Sequence, residues 1–240
     1  MSVPGSVDLL VTGTDTGVGK TVVAAALILA WRQAGVRAVG FKPVETGSVP
    51  GEPADSEVLA VASSADIVLA RPLLRFEEAL APALAAERRG VALDPRVVEE
   101  RITALRAAGH RVVVEGAGGV LVPLAWGFTA ADLAKHLGLE AIVVARAGLG
   151  TLNHCVLTVE ALQQRGVTVR GLVLNGRGDL PDLAEETNPK ALERLLPGLP
   201  IVVIPQHPTS TPLGVARGIV GQVAKLIWRK PQSRERRGRI

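Results

Sequence analysis

The residues most suited to chemistry begin with a glycine-rich stretch, LLVTGTDTGVGKTVVAAAL, which spans Leu9–Leu27. Loops that cradle nucleotide phosphates follow the pattern G-x-x-x-x-G-K-[ST], with four residues between the two glycines. Here five residues separate Gly13 from Gly19, while the Gly-Lys-Thr triplet formed with Lys20 and Thr21 is intact. In such a loop the lysine contacts the β- and γ-phosphates, and the threonine hydroxyl ligates Mg²⁺.

Apolar runs on both sides of this loop supply the context that phosphate binding requires. Residues Val7–Thr12 are typical of a strand, and the residues after Lys20 predict a helix that ends near Ala34. Backbone N–H groups at such a strand-to-helix junction bind anions, and Gly17 and Gly19 let the backbone approach phosphates closely. The sequence therefore predicts a nucleoside triphosphate site. The alternative, a glycine-rich turn with a surface lysine, is supported only by the shifted first glycine.

Polar residues follow two further strand-like runs in an otherwise apolar chain. Glu115 ends the strand in VVVEGAGG, and Lys42 follows the strand in GFKPVETGS. Ligands of open parallel sheets bind at the carboxyl ends of the strands, where a carboxylate such as Glu115 is a natural Mg²⁺ ligand. Asp55 is a second candidate ligand. Each residue has an alternative role. Glu115 could be a buried acid paired with a helix N-terminus, Lys42 could extend to solvent, and Asp55 could be a helix N-cap.

Strand-like and helical patterns alternate along the chain, which predicts one α/β domain of the P-loop NTPase-like class over residues 1–228. Its doubly wound, mostly parallel sheet would carry helices on both faces. The pattern predicts strands at Val7–Thr12, Val36–Phe41, Arg111–Glu115, Ala141–Ala145, Val169–Leu174 and Ile201–Ile204. It predicts further helices at Ser56–Ala62, Pro95–Ala108, Thr129–Leu137, Leu152–Gln164, Pro189–Leu195 and Leu213–Trp228. The stretch Ile67–Val91 follows neither pattern.

Composition and charge restrict the class of protein. Of 240 residues 48% are hydrophobic, only Cys155 is a cysteine, and no run of about twenty apolar residues occurs. We therefore expect a soluble cytoplasmic protein that binds no membrane. The pI near 9.7 depends on residues 229–240, which hold six basic residues and one acid. Subtracting them from totals of 27 basic and 23 acidic residues leaves 21 and 22. We interpret this segment as a disordered basic tail and expect no nucleic-acid partner.

Four segments in order, VTGTDTGVGKT, FKPVETGS, VVVEGAGGVLVPL and GLGTLNH, together resemble the ATP-dependent dethiobiotin synthetases of biotin biosynthesis. The resemblance spans roughly residues 7–205, and the family shares the shifted glycine. It implies a homodimer that uses ATP and Mg²⁺ to close a urea ring. CO₂ or bicarbonate supplies a carbamate on 7,8-diaminononanoate, ATP phosphorylates it to a carbamic–phosphoric anhydride, and the neighbouring amine displaces phosphate.

The resemblance also implies the role of each site residue. It assigns catalysis to Lys42 and Lys20, and the metal to Thr21, Asp55 and Glu115; among Glu52, Asp55 and Glu57, register alone selects Asp55. It assigns nucleotide binding to Gly17, Val18, Gly19, Lys20, Thr21, Val22, Glu115, Gly116, Ala117, Gly118, Asn175, Gly176 and Pro205. It assigns substrate binding to Lys42, Thr46, Gly150, Thr151 and Asn153.

The segment AGLGTLNH, Ala147–His154, opens a predicted helix whose free N–H groups suit a carboxylate. Diaminononanoate carries a carboxylate at its far end, and the resemblance implies that this segment reaches the site from the partner subunit. The alternative is an ordinary glycine turn capped by Thr151.

Two other families remain possible from the residues. A cobyrinate-type ATP-dependent amide synthetase normally adds a glutaminase domain with a nucleophilic cysteine, whereas Cys155 lies within a predicted apolar helix. A ParA/MinD-like ATPase carries a signature lysine five residues before the loop lysine, where this chain has Asp15. The basic tail is the one feature that favours the second family.

Overall fold

The computed structural model describes residues 7–49, 51–63, 68–207 and 211–228. The expected tail at 229–240 lies outside the described residues. The strands in these ranges are β1 Leu9–Gly13, β2 Ala38–Phe41, β3 Val44–Glu45, β4 Leu74–Arg75, β5 Arg111–Gly119, β6 Pro123–Ala125, β7 Phe128–Thr129, β8 Glu140–Arg146, β9 Val169–Arg177 and β10 Ile201–Pro205. The helices are α1 Lys20–Gln33, α2 Asp55–Ser63, α3 Pro82–Arg88, α4 Pro95–Ala107, α5 Ala130–Leu137, α6 Thr151–Gln164, α7 Leu183–Leu195 and α8 Pro212–Ile227.

Six of the strands form one sheet in the order β10-β9-β8-β1-β5-β2, and all neighbours pair in parallel. The central strands β1, β5 and β8 are runs of Val, Leu, Ile and Ala that are buried on both faces. Such runs are typical of parallel strands with helices on either side. This arrangement confirms the predicted doubly wound α/β fold.

Two separate apolar layers cover the sheet because successive side chains of a strand point to opposite faces. In β1, Leu9 and Val11 pack with α1, α2 and α8, whereas Leu10 packs with α4, α5, α6 and α7. The first layer is filled by the fully buried Trp31 of α1, and the second contains Phe41 of β2. No helix in the described ranges is long and apolar enough to cross a membrane.

The strand order places the sequence motifs beside one another. From β5 the chain crosses β1 to reach β8, so the order reverses around the central strand. In open α/β sheets ligands bind at such a reversal, outside the carboxyl ends of the strands. The glycine-rich loop follows β1, Glu115 lies on the neighbouring β5, and Lys42 follows β2 on the far side of β5.

The structure differs from the predicted elements in a few places. Helix α7 begins at Leu183, because a capping box between Asp182 and Glu185 starts it. The prediction had used Pro189 as the start, a common role for proline, although here it lies inside the helix. Pro82 does begin a helix, α3, in the stretch left without a pattern. The short pairs β3–β4 and β6–β7 were not predicted, since two or three residues show no readable alternation.

Candidate active site

The backbone conformation of the loop between β1 and α1 accounts for its unusual glycine spacing. The chain folds back over Gly13, so that a Cβ added there would lie 2.6 Å from the Asp15 carbonyl oxygen and 2.9 Å from Val18 Cγ2. Real Cβ atoms do not make such contacts, so this position requires glycine even though it lies one residue early. Gly17 and Gly19 both have left-handed backbones, with φ of 73° and 97°. The loop thus keeps the glycines that phosphate binding requires.

Lys20, the first residue of α1, lies across the loop and donates a hydrogen bond from Nζ to the Asp15 carbonyl oxygen at 3.0 Å. It is buried, and this burial lowers the pKa of Lys20 from its ordinary value. The Asp15 side chain accepts a hydrogen bond from the Thr16 N–H and forms an ion pair with Arg146 at 3.2 Å. Asp15 therefore stabilises the loop at the position where a ParA/MinD-like chain carries its signature lysine.

A junction of four polar side chains lies beside the loop. Glu115 Oε1 accepts a hydrogen bond from Thr21 Oγ1 at 3.0 Å and another from Lys42 Nζ at 2.8 Å. Lys42 also donates to the Asp55 carboxylate. The structure thus brings together predicted site residues from the end of β2, from within β5, which continues past Glu115 to Gly119, and from the starts of α1 and α2.

Burial and the neighbouring charges have opposite effects on the pKa of each group at this junction. Burial opposes the charge on Lys42, but the Glu115 and Asp55 carboxylates outweigh it and raise the pKa of Lys42 above its ordinary value. Burial also opposes the charge on Asp55, yet Lys42 beside it lowers the pKa of that carboxyl. Complete burial raises the pKa of Glu115, against the attraction of Lys42. One ammonium group therefore holds two carboxylates together, one of them fully removed from water.

The donor set of the junction fits Mg²⁺. The second Glu115 oxygen, Oε2, is buried and has no hydrogen-bond partner. Mg²⁺ binds through one or two carboxylates and completes its shell with water and phosphate oxygens, so it does not need a protein cage. Accordingly, the described residues contain no group of three or more His, Cys, Asp or Glu that could hold a metal. Asp55 lies at the junction, whereas Glu57 contacts Arg75 at 3.4 Å.

A cavity of about 590 Å³ opens over the loop and the junction, a size in the range of small-molecule sites. Lys42 and Thr46, the residues expected to bind a carbamate, both line it. Leu80, Pro82 and Val122 supply an apolar wall opposite the charged groups. The cavity therefore combines a phosphate-binding loop, a cation junction and an aliphatic surface.

Three of the predicted nucleotide-binding residues, Asn175, Gly176 and Pro205, lie towards the carboxyl ends of β9 and β10. Asn175 Nδ2 donates to the Val18 carbonyl oxygen at 3.0 Å, so this side chain supports the glycine-rich loop from behind. Gly176 follows it on β9, and Pro205 is the exposed last residue of β10. None of the three lines the cavity. The structure therefore places them beside the loop but not against the junction.

Residues 147–154 lie at the end of β8 and the start of α6, away from the cavity lining of the same chain. No side chain caps α6, and Thr151 Oγ1 contacts Cys155 Sγ instead, so the predicted cap is absent. Leu149 is 93% exposed, and Asn153 is also exposed. Asn188 of α7, which the sequence analysis missed, holds the loop by donating to the Ala147 and Gly148 carbonyl oxygens.

Comparison with known proteins identifies close relatives. A family model described as an AAA domain matches residues 8–213. The ATP-dependent dethiobiotin synthetase of Anaeromyxobacter sp. (strain K) is 52% identical over 205 residues, which cover 83% of this chain and 90% of that protein. The ATP-dependent dethiobiotin synthetase of Haloferax mediterranei is 41% identical over 229 residues, which cover 93% and 97%.

Solved structures share the fold at low sequence identity. The septum site-determining protein MinD from Pyrococcus horikoshii, complexed with Mg-ADP, aligns with a TM-score of 0.56 and 20% identity, over 92% of this chain and 94% of that chain. A ParA family ATPase from Chlorobium tepidum aligns with a TM-score of 0.53 and 15% identity, over 93% and 98%. These likenesses support the P-loop NTPase-like fold.

The glycine geometry generates a paired prediction. A Cβ added at Gly19 would lie 2.1 Å from Asn175 Nδ2, whereas one added at Gly17 would meet nothing within 4 Å. Gly19→Ala should displace the loop from its support and weaken ADP binding at least tenfold, or about 1.4 kcal/mol. Gly17→Ala imposes a similar strain through its positive φ but contacts no neighbour, so it should lose less ADP affinity than Gly19→Ala. Titration with a fluorescent ADP analogue measures both, and equal losses would contradict the role of Asn175.

Proposed function

The chain belongs to the ATP-dependent dethiobiotin synthetase family, and we propose that its cavity closes the urea ring of dethiobiotin through a carbamate. As a member of this family the chain is an ATP-dependent ligase of biotin biosynthesis. The observation that carries the proposed chemistry is the Lys42–Glu115–Thr21 junction beside the phosphate-binding loop. It supplies cationic and metal-binding groups where the γ-phosphate of ATP would lie.

The loop and the junction divide the work on ATP. Backbone N–H groups after Gly17 and the ammonium of Lys20 would hold the phosphates. Thr21, Asp55 and Glu115 would hold Mg²⁺, which supplies positive charge against the charge that develops on the transferred phosphoryl group. The unpartnered Glu115 Oε2 supports this assignment, because a metal ion would satisfy an atom that is otherwise buried without a partner.

Lys42 and Thr46 would hold the carbamate. One amine of diaminononanoate loses a proton and bonds to the carbon of CO₂, and Lys42 Nζ with the Thr46 hydroxyl donates hydrogen bonds to the resulting anion. A carbamate oxygen then attacks the γ-phosphorus, and the bond from that phosphorus to ADP breaks. The second amine attacks the carbonyl carbon and expels phosphate. This closure needs mainly positioning, since both amines belong to one molecule.

The substrate carboxylate would bind at the N-terminus of α6 in a partner subunit. Thr151 and Asn153 lie at that N-terminus, which has no side-chain cap, and the segment does not reach the cavity of its own chain. Leu149, almost fully exposed beside it, suits a contact between two copies. We therefore propose a homodimer in which each active site combines the loop of one subunit with α6 of the other.

The structure gives little support to the two alternative functions, a ParA/MinD-like ATPase and an amidotransferase-type synthetase. The likeness to MinD and ParA rests on 15–20% identity and concerns the fold alone. Cys155, the nucleophile that an amidotransferase would need, is buried within α6, and burial raises the pKa of its thiol. An inert buried thiol does not support glutaminase chemistry.

Turnover tests the proposed reaction directly. ATP hydrolysis by the purified protein should require both diaminononanoate and bicarbonate, and mass spectrometry should find dethiobiotin in equal amount to ADP. Each omission serves as a control. Hydrolysis at a comparable rate without diaminononanoate, or its stimulation by DNA, would contradict the proposal.

Two lysine variants separate nucleotide binding from carbamate binding. Lys42→Met should lower turnover by about 10²–10³, a loss typical of a removed transition-state donor, while ATP affinity changes little. Lys20→Ala should lower both, because its ammonium contacts the phosphates. Steady-state kinetics and ATP titration measure the two effects. Equal loss of ATP affinity in both variants would show that Lys42 binds the nucleotide instead.

Subunit mixing tests the shared site. Lys20→Ala disables the loop, and Asn153→Asp adds a charge that should repel the substrate carboxylate without changing side-chain size. In a mixed dimer one site carries both changes and the other carries neither. Random reassortment makes half of the dimers mixed, so activity should return to about a quarter of that of the unmodified protein. Subunit exchange without recovered activity would place α6 and the loop of one site in the same chain.

A further inference from the structure

One buried acid in the site region has no part in the chemistry above. Glu45, on β3, is only 3% exposed, and it lies between Val44 of the same strand and Thr46 of the cavity lining. Burying a carboxylate costs free energy unless its oxygens accept hydrogen bonds or pair with a cation, so we expect Glu45 to have such partners.

The partners of Glu45 lie on the helix that carries Asp55. Glu45 Oε1 accepts a hydrogen bond from the Ser56 N–H at 2.9 Å, and Oε2 accepts one from Ser56 Oγ at 2.9 Å. Arg75 of β4 donates from Nε to the same Oε2 at 2.9 Å and from an Nη to Ser56 Oγ at 2.9 Å. The three side chains form a closed triangle in which each contacts the other two.

This triangle fastens the first turn of α2. Helix α2 begins at Asp55, directly before Ser56. The backbone N–H groups of a first helical turn have no partner within the helix, and Glu45 supplies one from outside it. Its negative charge also suits the positive end of the helix dipole.

We propose that Glu45 is a positioning residue, which holds Asp55 in place for the metal by anchoring the start of α2 through Ser56 and Arg75. The inference rests on the proposed role of Asp55 as a Mg²⁺ ligand. In the structure the Lys42 ammonium forms an ion pair with the Asp55 carboxylate. A metal ion could take the place of this ammonium beside Asp55 only if the carboxylate kept its position.

Mn²⁺ in place of Mg²⁺ gives a binding readout independent of turnover. With ADP present, the electron paramagnetic resonance signal of free Mn²⁺ measures its affinity for the protein. Glu45→Ala should weaken Mn²⁺ binding by about 10–100-fold, the range for groups that orient metal ligands. Glu45→Gln, which keeps one acceptor oxygen, should lose less. ADP affinity measured in EDTA should change less than about twofold in both.

A control removes a half-buried paired acid away from the site. Glu140, the first residue of β8, pairs with the buried Arg170 of β9 at 2.7 Å near the amino ends of these strands. Glu140→Gln should lower the melting temperature yet leave Mn²⁺ affinity unchanged. If Glu45→Ala behaves as this control does, the positioning role is overturned.

Combination with Asp55→Asn tests whether the effect passes through Asp55. In that background Glu45→Ala should change Mn²⁺ affinity less than about twofold, because the two changes share one cause. Losses that multiply would overturn the inference. Failure of the unmodified protein to bind Mn²⁺ with ADP would instead overturn the metal site itself, and with it this proposal.

Discussion

The neutralisation of Glu115 is the constraint on which the site depends. Its carboxylate is fully buried within the central strand β5, and an unpaired charge there would cost several kcal/mol. Lys42, which follows the neighbouring strand, provides the compensating charge, and Thr21 adds a hydrogen bond. Asp55 also pairs with this ammonium, so positive charge is needed beside both carboxylates. In the proposed reaction a divalent ion would supply this positive charge, and Lys42 would then be free to bind the carbamate.

The glycine-rich loop shows how an altered motif keeps its chemistry. With five residues between its glycines, the loop still packs onto Gly13 and still presents Gly19 at the start of α1. Two strands contact it, β9 through the hydrogen bond of Asn175 and β8 through the exposed ion pair of Arg146 with Asp15. The loop is therefore supported by residues that lie far from it in the chain.

The fold of this chain does not by itself determine its function. The likeness to the MinD and ParA structures, at 15–20% identity, concerns the fold alone. Residues that could specify the function lie near the carboxyl ends of the strands, where Lys42 follows β2 and the buried Glu45 accepts a hydrogen bond from the first turn of α2. The start of α6 lies outside the cavity of its own chain. In the proposed homodimer the start of α6 in the second copy would complete the site.

The sequence alone determined the fold class and indicated most residues of the candidate site, because both rest on local patterns. Apolar runs of strand and helix length predicted the parallel sheet, and the residues that end those runs, such as Glu115 and Lys42, had to meet at one edge. Tertiary structure decided which residues that are far apart in the sequence come into contact. The packing of α2 places Asp55, the acid that register favours, beside Lys42 and places Glu57 against Arg75. The meeting of β3, β4 and α2 shows the partners of Glu45. A buried ion pair has no sequence period, since its partners come together only when separate elements fold against one another.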